Sequence, residues 1–234
     1  MCPDSHSSGC LFLVATPIGN LGDISTRAVE TLTDCDYIAC EDTRVTGKLL
    51  SRLDLQKKLI SYREENEKNK SLQIAEDIEQ GKNVALLSDA GYPCISDPGF
   101  RLVRECHIRK IKVVPIPGPN AALTALAVSG LPTHQYSYMG FLPKKSAQVR
   151  KILESWSEYE GSIVLYESKY KIEKTLGLIA ETLGKDRFVC VARELTKAHE
   201  SIRTGPISQV IDQQALSSGK GEFTLVIAPQ GYSF

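Results

Sequence analysis

The first half of the sequence alternates short apolar runs with amphipathic stretches, and this alternation limits the chain to few folds. Apolar runs of strand length predict strands at residues 11–16, 37–39, 58–62, 83–88 and 112–116. Segments of helical periodicity between them predict helices at residues 25–32, 43–53, 66–79 and 98–109. Strands that alternate with helices through short links form parallel sheets buried between the helices. The sequence therefore predicts an α/β fold whose N-terminal sheet is mostly parallel.

A cluster of helix and strand breakers lies almost at the midpoint, where residues 115–119 read Pro-Ile-Pro-Gly-Pro. Such a cluster is typical of a domain boundary. We predict a frayed tail over residues 1–10, an N-terminal α/β domain over 11–117 and a C-terminal α/β domain over 118–234. Further strands are expected at 136–141, 162–167, 187–194, 200–204 and 221–228, and helices at 120–129, 146–158 and 170–183. Because 201–206 and 221–228 look antiparallel, the C-terminal sheet is expected to be mixed.

The charge balance excludes a general nucleic-acid or anionic-membrane binder. The chain carries 28 Lys and Arg against 28 Asp and Glu, so any RNA contact must be local. No apolar run approaches the roughly 20 residues of a membrane-spanning helix. Residues 1–9 lack the basic start and apolar middle of a secretory signal. We therefore expect a cytoplasmic protein without a membrane partner.

Cysteine and histidine spacing argues against a metal site. The seven cysteines form no C-x-x-C pair, and the four histidines form no H-x-x-H or H-E-x-x-H motif. Reduced, buried thiols of a cytosolic protein explain the cysteines. We expect no protein-bound metal.

Three loops after predicted strands are rich in Gly, Pro and small polar residues, at 16–23, 88–99 and 117–122. Ligands of open α/β sheets bind beyond the carboxyl ends of the strands, where such loops lie. The Gly19-x-x-Gly22 spacing matches neither the dinucleotide fingerprint nor the P-loop. A tight turn explains the first loop equally well, and a linker explains the third. In the second loop we expect Asp89 to contact a ligand, and Asp97 to cap a helix beginning at Pro98.

Charged residues cluster at two further places. Glu41 and Asp42 precede a predicted helix, where capping explains both, while Arg44 either clamps a phosphate or pairs with one of these carboxylates. A compact basic patch follows the aromatic strand 136–141 and is either a solvated helix start or a binding site for an RNA backbone. Its members are Lys144, Lys145, Arg150 and Lys151.

In this order, the segments resemble the bacterial small-subunit ribosomal RNA methyltransferase I family of the tetrapyrrole methylase superfold. The matching words are T-P-I-G-N-L (16–21), E-D-T-R (41–44), S-D-A-G-x-P (88–93), D-P-G (97–99), P-G-P (117–119), G-F-L-P (140–143), Y-E-S (166–168), R-E-L-T-K (193–197) and G-E-x-x-L (221–225). They extend from about residue 11 to residue 228, and the combination is more specific than any single word.

The resemblance implies a dimeric, two-domain methyltransferase that holds S-adenosylmethionine in the cleft between its domains. It implies methylation of the ribose 2′-OH of a cytidine in the decoding region of small-subunit ribosomal RNA. From the residues themselves, we expect Arg44 and the basic patch to contact the RNA. The implied methyl-donor contacts are Pro17, Asp89, Gly91, Pro93, Pro117, Gly118, Asn120 and Ala121, together with Arg193, Leu195, Thr196 and Gly221. A carboxylate near the hydroxyl would assist proton removal, and the candidates are Glu41, Asp42, Glu167 and Glu194.

The sequence also departs from the family. Longer members carry a small extra C-terminal domain, so we expect this chain to grip RNA through the basic patch and a dimer partner. Lys169-Tyr170-Lys171 stands where a His-Arg pair is common. Two alternatives stay open: a methyltransferase of this fold acting on a tetrapyrrole or another acceptor, and a non-catalytic RNA-binding relative.

Overall fold

Two five-stranded sheets organise the residues that the computed structural model describes, 9–215 and 221–234. The sheets belong to separate units, which divide between Asn120 and Ala121. The sequence predicts this boundary three residues earlier, after Pro117. The tail predicted for residues 1–10 lies outside the described residues up to position 8.

The first unit contains a parallel sheet with helices on both faces. Its strands are β1 (Cys10–Val14), β2 (Tyr37–Cys40), β3 (Leu59–Ser61), β4 (Val84–Leu87) and β5 (Lys112–Ile116), and its helices are α1 (Thr26–Asp34), α2 (Thr43–Arg52), α3 (Glu67–Glu79) and α4 (Phe100–Ile108). The strand order is β3-β2-β4-β1-β5, and every pair is parallel. The predicted parallel α/β sheet is confirmed.

The central strand β4 shows why this sheet forms. All four of its residues are buried, and successive side chains point to opposite faces. Val84 and Leu86 pack into the core that contains residues of α3 and α4, whereas Ala85 and Leu87 pack into the core that contains residues of α1 and α2. A strand covered by helices on both faces must be apolar throughout, as this one is.

The second unit contains the predicted mixed sheet. Its strands are β6 (Tyr136–Phe141), β7 (Ser162–Ser168), β8 (Phe188–Arg193), β9 (Ser201–Pro206) and β10 (Glu222–Ile227), and its helices are α5 (Ala121–Val128), α6 (Ser146–Ser155), α7 (Ile172–Leu183) and α8 (Ile207–Ala215). The strand order is β6-β7-β10-β8-β9, in which only β6 and β7 pair in parallel. None of the helices in the described part of the chain is long and apolar enough to cross a membrane.

Two features of the second unit differ from the sequence prediction. The expected antiparallel relation of 201–206 and 221–228 is wrong, because β9 and β10 both pair antiparallel with β8, which lies between them. They therefore run in the same direction without touching as neighbours. Helix α8, between these two strands, was not predicted.

A buried arginine stabilises the second unit, and none of its hydrogen bonds to the described residues goes to a carboxylate. The Arg187 side chain is almost fully buried, and its guanidinium donates to the carbonyl oxygens of Ala228 at 3.1 Å and Ser157 at 2.8 Å. These bonds join the residue after β10 to the link between α6 and β7. Two carbonyl groups therefore depend on one side chain for their partners.

We expect Arg187→Met to lower the free energy of unfolding by about 2 kcal/mol or more, since both carbonyl oxygens lose a charged donor inside the protein. Urea unfolding followed by circular dichroism measures this change. Arg104→Met, on the exposed side of α4, is the matched control and should lie within about 0.5 kcal/mol of the wild type. Equal decreases in the free energy of unfolding of the two variants would contradict the stabilising role of the Arg187 hydrogen bonds.

Candidate functional site

The loops at the carboxyl edge of the first sheet are joined through their main chains. Thr16, after β1, donates its N–H to the Gly91 carbonyl at 2.8 Å, and Gly91 N–H donates to the Thr16 carbonyl at 3.1 Å. The buried Thr16 hydroxyl also donates to the Ser88 carbonyl at 3.2 Å. The first and second loops therefore hold a fixed relative position.

The third loop approaches the same point. A Cβ atom on Gly118 would lie 2.9 Å from the Ala15 Cβ, so the chain passes very close to the end of β1. A Cβ atom on Gly91 would lie 3.4 Å from the Ile18 Cγ2 and 3.8 Å from the Pro119 oxygen. All three loops thus meet around Gly91. Seven of the predicted donor contacts lie on them: Pro17, Asp89, Gly91, Pro93, Pro117, Gly118 and Asn120. Ala121 is the first residue of α5, in the second unit.

The remaining predicted donor contacts lie in the second unit, at the end of β8, in the segment after it and just before β10. Glu194 N–H donates to the Glu222 carbonyl at 2.9 Å, and Glu222 N–H donates to the Glu194 Oε1 at 2.9 Å. A Cβ atom on Gly221 would lie 2.7 Å from the Glu194 Cγ, so only glycine admits this close approach. The structure thereby brings Gly221 beside the 193–196 segment, in which Leu195 is buried.

The Thr196 hydroxyl has an unusual environment. Its oxygen is buried and has no hydrogen-bond partner among the described residues, although the Thr196 N–H donates to the Glu200 Oε2 at 2.6 Å. Thr196 also has a φ of +65°, in the left-handed region. A buried hydroxyl without a partner costs free energy, and a bound polar ligand removes that cost. Thr196 is thus a suitable ligand contact.

The first unit also contains an acidic pocket of about 630 Å³. Its lining includes seven carboxylate side chains, Glu41, Asp42, Glu64, Glu65, Glu67, Asp89 and Asp97, and two guanidinium groups, Arg44 and Arg63. Within the described residues, no three His, Cys, Asp or Glu side chains are arranged to hold a metal ion. Glu41, Arg44 and Asp89, which the sequence analysis considers separately, thus line one pocket.

Asp42 links the parts of this pocket. It caps α2 by accepting the Arg44 N–H at 2.8 Å, as predicted, and its own N–H donates to the Asp89 Oδ1 at 3.0 Å. The Arg44 guanidinium pairs with the Asp42 carboxylate, with Nη2 2.6 Å from Oδ2. Hydrogen bonds from Arg44 hold the pKa of Asp42 well below its usual range. Of the two roles considered for Arg44, the structure shows the pairing with a carboxylate.

Asp97 does not cap a helix, and that prediction is wrong. Helix α4 begins at Phe100 after Gly99, whose φ of +142° only glycine adopts readily. Asp97 instead lines the acidic pocket, where burial, followed by the charges of Glu41 and Asp89, raises its pKa to about 7. Burial and the charge of Asp89 likewise raise the pKa of Glu41. Because of the backbone conformation at Gly99, the Asp97-Pro98 pair lines the pocket instead of beginning α4.

The three glutamates predicted as catalytic candidates have different surroundings. Glu167 is buried, and its two oxygens accept the Ser168 N–H and the Thr175 hydroxyl, each at 2.7 Å. Glu194 accepts from Lys197 Nζ at 3.0 Å in addition to Glu222 N–H. Burial acts to raise the pKa of Glu194, but these bonds outweigh it and lower the pKa. Glu41, in the open pocket, is the best placed of the three to accept a proton.

Lys197 belongs to the R-E-L-T-K motif, but the sequence analysis gives it no role of its own. Its Nζ lies 3.0 Å from the Glu194 Oε1 and 2.7 Å from the Glu222 Oε2, which ties the end of β8 to the start of β10. The spacing of three residues between Glu194 and Lys197 is the signal that could have indicated this ion pair.

The predicted basic patch lies on the second unit. Lys144 and Lys145 are exposed before α6, and Arg150 and Lys151 are exposed on that helix. Arg150 pairs with Glu181 at 2.6 Å, so part of its charge is compensated. Arg44, the other residue predicted to bind RNA, belongs to the first unit.

The raised pKa of Asp97 predicts a pH dependence of stability. Between its ordinary pKa of 3.8 and about 7, the folded protein holds the proton more tightly than the unfolded chain does. The contribution of Asp97 to the free energy of unfolding should therefore decrease as pH rises from about 4 to about 7. Asp97→Asn should reduce this decrease, whereas Asp34→Asn, on the exposed end of α1, should retain it. Urea unfolding at pH 5 and pH 7.5 tests this, and parallel behaviour of the Asp97 variant and the wild type would contradict it.

Comparisons with known proteins agree with the fold and with the sequence motifs. The family model for tetrapyrrole (corrin/porphyrin) methylases matches residues 10–211. Ribosomal RNA small subunit methyltransferase I of Halalkalibacterium halodurans is 44% identical over 223 residues, which cover 95% of this chain and 77% of that protein. The protein of the same name from Synechocystis is 46% identical over 220 residues, which cover 94% of this chain and 79% of that protein.

A solved structure gives the same answer at the level of the fold. The crystal structure of a diphthine synthase superimposes with a TM-score of 0.75 at 14% identity, covering 97% of this chain and 92% of that one. At this identity the likeness shows only a shared fold. The identity to the curated relatives over most of both chains, with the family-model match, shows that this chain is a methyltransferase belonging to the ribosomal RNA small subunit methyltransferase I family of the tetrapyrrole methylases.

Proposed function

We propose that this methyltransferase transfers a methyl group from S-adenosylmethionine to the ribose 2′-OH of a cytidine in the decoding region of small-subunit ribosomal RNA. The observation that carries the proposal is that three loops meet around Gly91. Each of these loops contains a sequence motif through which the chain resembles the family. The names of the relatives support small-subunit ribosomal RNA as the substrate. A homodimer and a cytoplasmic location stay predictions.

The described residues fit a methyl donor. The proposed contacts are, on the first unit, Pro17, Asp89, Gly91, Pro93, Pro117, Gly118 and Asn120, and on the second, Ala121, Arg193, Leu195, Thr196 and Gly221. The buried Thr196 hydroxyl without a partner supports this fit, since it needs a polar group that the described residues do not supply. When bound, S-adenosylmethionine supplies an electrophilic methyl group on a sulfonium centre.

Positioning accounts for most of the proposed catalysis. The attacking oxygen and the methyl carbon must lie in line about 3 to 3.5 Å apart, and loops joined by main-chain hydrogen bonds suit this demand. The ribose oxygen would gain the methyl group as the bond between that carbon and the donor sulfur breaks, which leaves a neutral thioether, and it would lose its proton. Glu41 accepts that proton in our proposal, because its pKa is raised toward the working pH and it lines an open pocket.

The proposed reaction is tested by tritium transfer from labelled S-adenosylmethionine to small ribosomal subunits from a strain that lacks the endogenous enzyme. Nucleoside analysis should place the label on 2′-O-methylcytidine. Glu41→Gln should lower kcat about 100-fold or more with little change in donor affinity, since it loses a proton acceptor and keeps the shape. Donor binding without label in RNA would shift the proposal to another acceptor, such as a tetrapyrrole. RNA binding without donor binding would identify a non-catalytic relative.

The basic patch gives a separate prediction. Lys144→Ala with Lys145→Ala should weaken RNA binding and reduce the salt slope of log Kd by about 1.4, at about 0.7 per lost phosphate contact with single-stranded RNA. Lys68→Ala with Lys70→Ala, on α3 of the first unit, is the matched control and should leave the slope unchanged. Fluorescence anisotropy from 50 to 300 mM salt measures both variants. An unchanged slope in the Lys144 and Lys145 variant would remove the patch from the RNA site.

A further inference from the structure

Two aromatic rings project from one end of the second sheet. Phe141, the last residue of β6, is 58% exposed, and Tyr170, in the turn between β7 and α7, is 85% exposed. Exposing a large ring to water is unfavourable, and two exposed rings on segments that are in contact are a stronger signal than one. β6 is also an edge strand, so this end of the sheet is accessible.

The Phe141 ring is held by its neighbours. Its centroid lies 5.6 Å from that of Tyr166, which is its partner in the β6–β7 register. Tyr166 in turn packs edge-on against Tyr138 at 5.2 Å. A register shift between Tyr138 and Phe141 marks a β-bulge, a feature that commonly redirects side chains at sheet edges. Phe141 is therefore a pre-positioned surface ring.

The turn carrying Tyr170 is fastened to the same strand end. Lys171 Nζ donates to the carbonyl of Leu142, the residue after Phe141, at 3.4 Å. Lys169 Nζ lies 4.9 Å from the centroid of the Tyr170 ring, a cation–π distance. The turn that carries Tyr170 is thus joined by a hydrogen bond to the residue that follows Phe141.

Lysines surround the rings. Lys144 and Lys145 follow β6, Lys169 and Lys171 flank Tyr170, and no ion pair holds any of the four within the described residues. Two acidic residues flank the turn: Glu167 directs both oxygens into the unit's own hydrogen bonds, and Glu173 is exposed in the first turn of α7. The surface therefore combines exposed aromatic faces with an excess of positive charge.

This combination fits single-stranded RNA better than a protein. Lysine is depleted at protein interfaces, whereas RNA-binding surfaces pair cations for phosphates with rings on which unstacked bases lie. Double-stranded RNA keeps its bases inside the helix and offers no faces to such rings.

We infer that Phe141 and Tyr170 form a stacking platform for two unpaired bases of the RNA substrate, with Lys144, Lys145, Lys169 and Lys171 on the phosphates between and beside them. The inference rests on the proposed function, which supplies RNA as the substrate. It adds the form in which that RNA binds, unpaired and with bases turned outward, at residues separate from the donor contacts.

The test measures binding of a fluorescein-labelled single-stranded oligoribonucleotide and of its duplex by anisotropy. Tyr170→Ala and Phe141→Ala should each weaken single-strand binding by about 5- to 150-fold, the range for one lost base stack, without changing the salt slope. Tyr170→Phe should restore binding, because it keeps the ring. Phe234→Ala, which removes another exposed ring of the same unit, should bind as the wild type does.

The outcomes separate the inference from the proposed function. If wild-type protein methylates ribosomal RNA but both alanine variants bind RNA normally, the platform is overturned and the function stands. If the variants lose duplex and single-strand binding equally, stacking is also overturned. Sedimentation provides a further check: conversion of a dimer to a monomer by either variant would identify the surface as an interface between copies and overturn the platform. If the wild-type protein neither methylates nor binds ribosomal RNA, the proposed function is rejected.

Discussion

The pair of main-chain hydrogen bonds between Thr16 and Gly91 is the constraint on which the candidate site depends. It fixes the loop after β1 against the loop after β4, although 75 residues separate the two in sequence. Asp89, two residues before Gly91, extends the connection by accepting the Asp42 N–H at the start of α2. Because the links use backbone groups, the loop positions tolerate changes in many side chains. Such rigidity suits a reaction in which alignment supplies most of the rate.

The carboxylates of this protein show how surroundings separate residues of one type. Glu167 joins the end of β7 to the first turn of α7 with its two oxygens, and Glu194 joins two strands through Lys197. Glu41 shares a pocket with Asp89 and Asp97, and burial, followed by the charges of neighbouring carboxylates, raises the pKa of Glu41 and of Asp97. A carboxylate whose oxygens are fully bonded is a poor proton acceptor, whereas one whose pKa is raised is better suited to accept a proton.

The fold class was predictable because it follows from periodicity. The apolar run of β4 and the helical patterns around it agree with the two cores that cover the sheet. Asp97-Pro98 could not be interpreted locally, because the left-handed backbone at Gly99 delays the helix by two residues. The order of the strands in the second sheet could not be predicted either, since β10 pairs with strands that precede it by many residues. The candidate loops could be identified from their sequence motifs. The acidic pocket could not, because only the tertiary structure brings Glu41, Asp89 and Asp97 together.

The central position of β10 has a consequence for biosynthesis. This strand lies between β7 and β8, yet it is the last of the sheet to leave the ribosome. Until it arrives, β7 and β8 each present an unpaired backbone edge beside a row of apolar side chains, which is the condition that favours aggregation of nascent chains. The first unit, whose final strand β5 adds at an edge, has no such dependence on its last residues. Chaperone demand during translation should therefore concentrate in the interval between synthesis of β8 and release of β10.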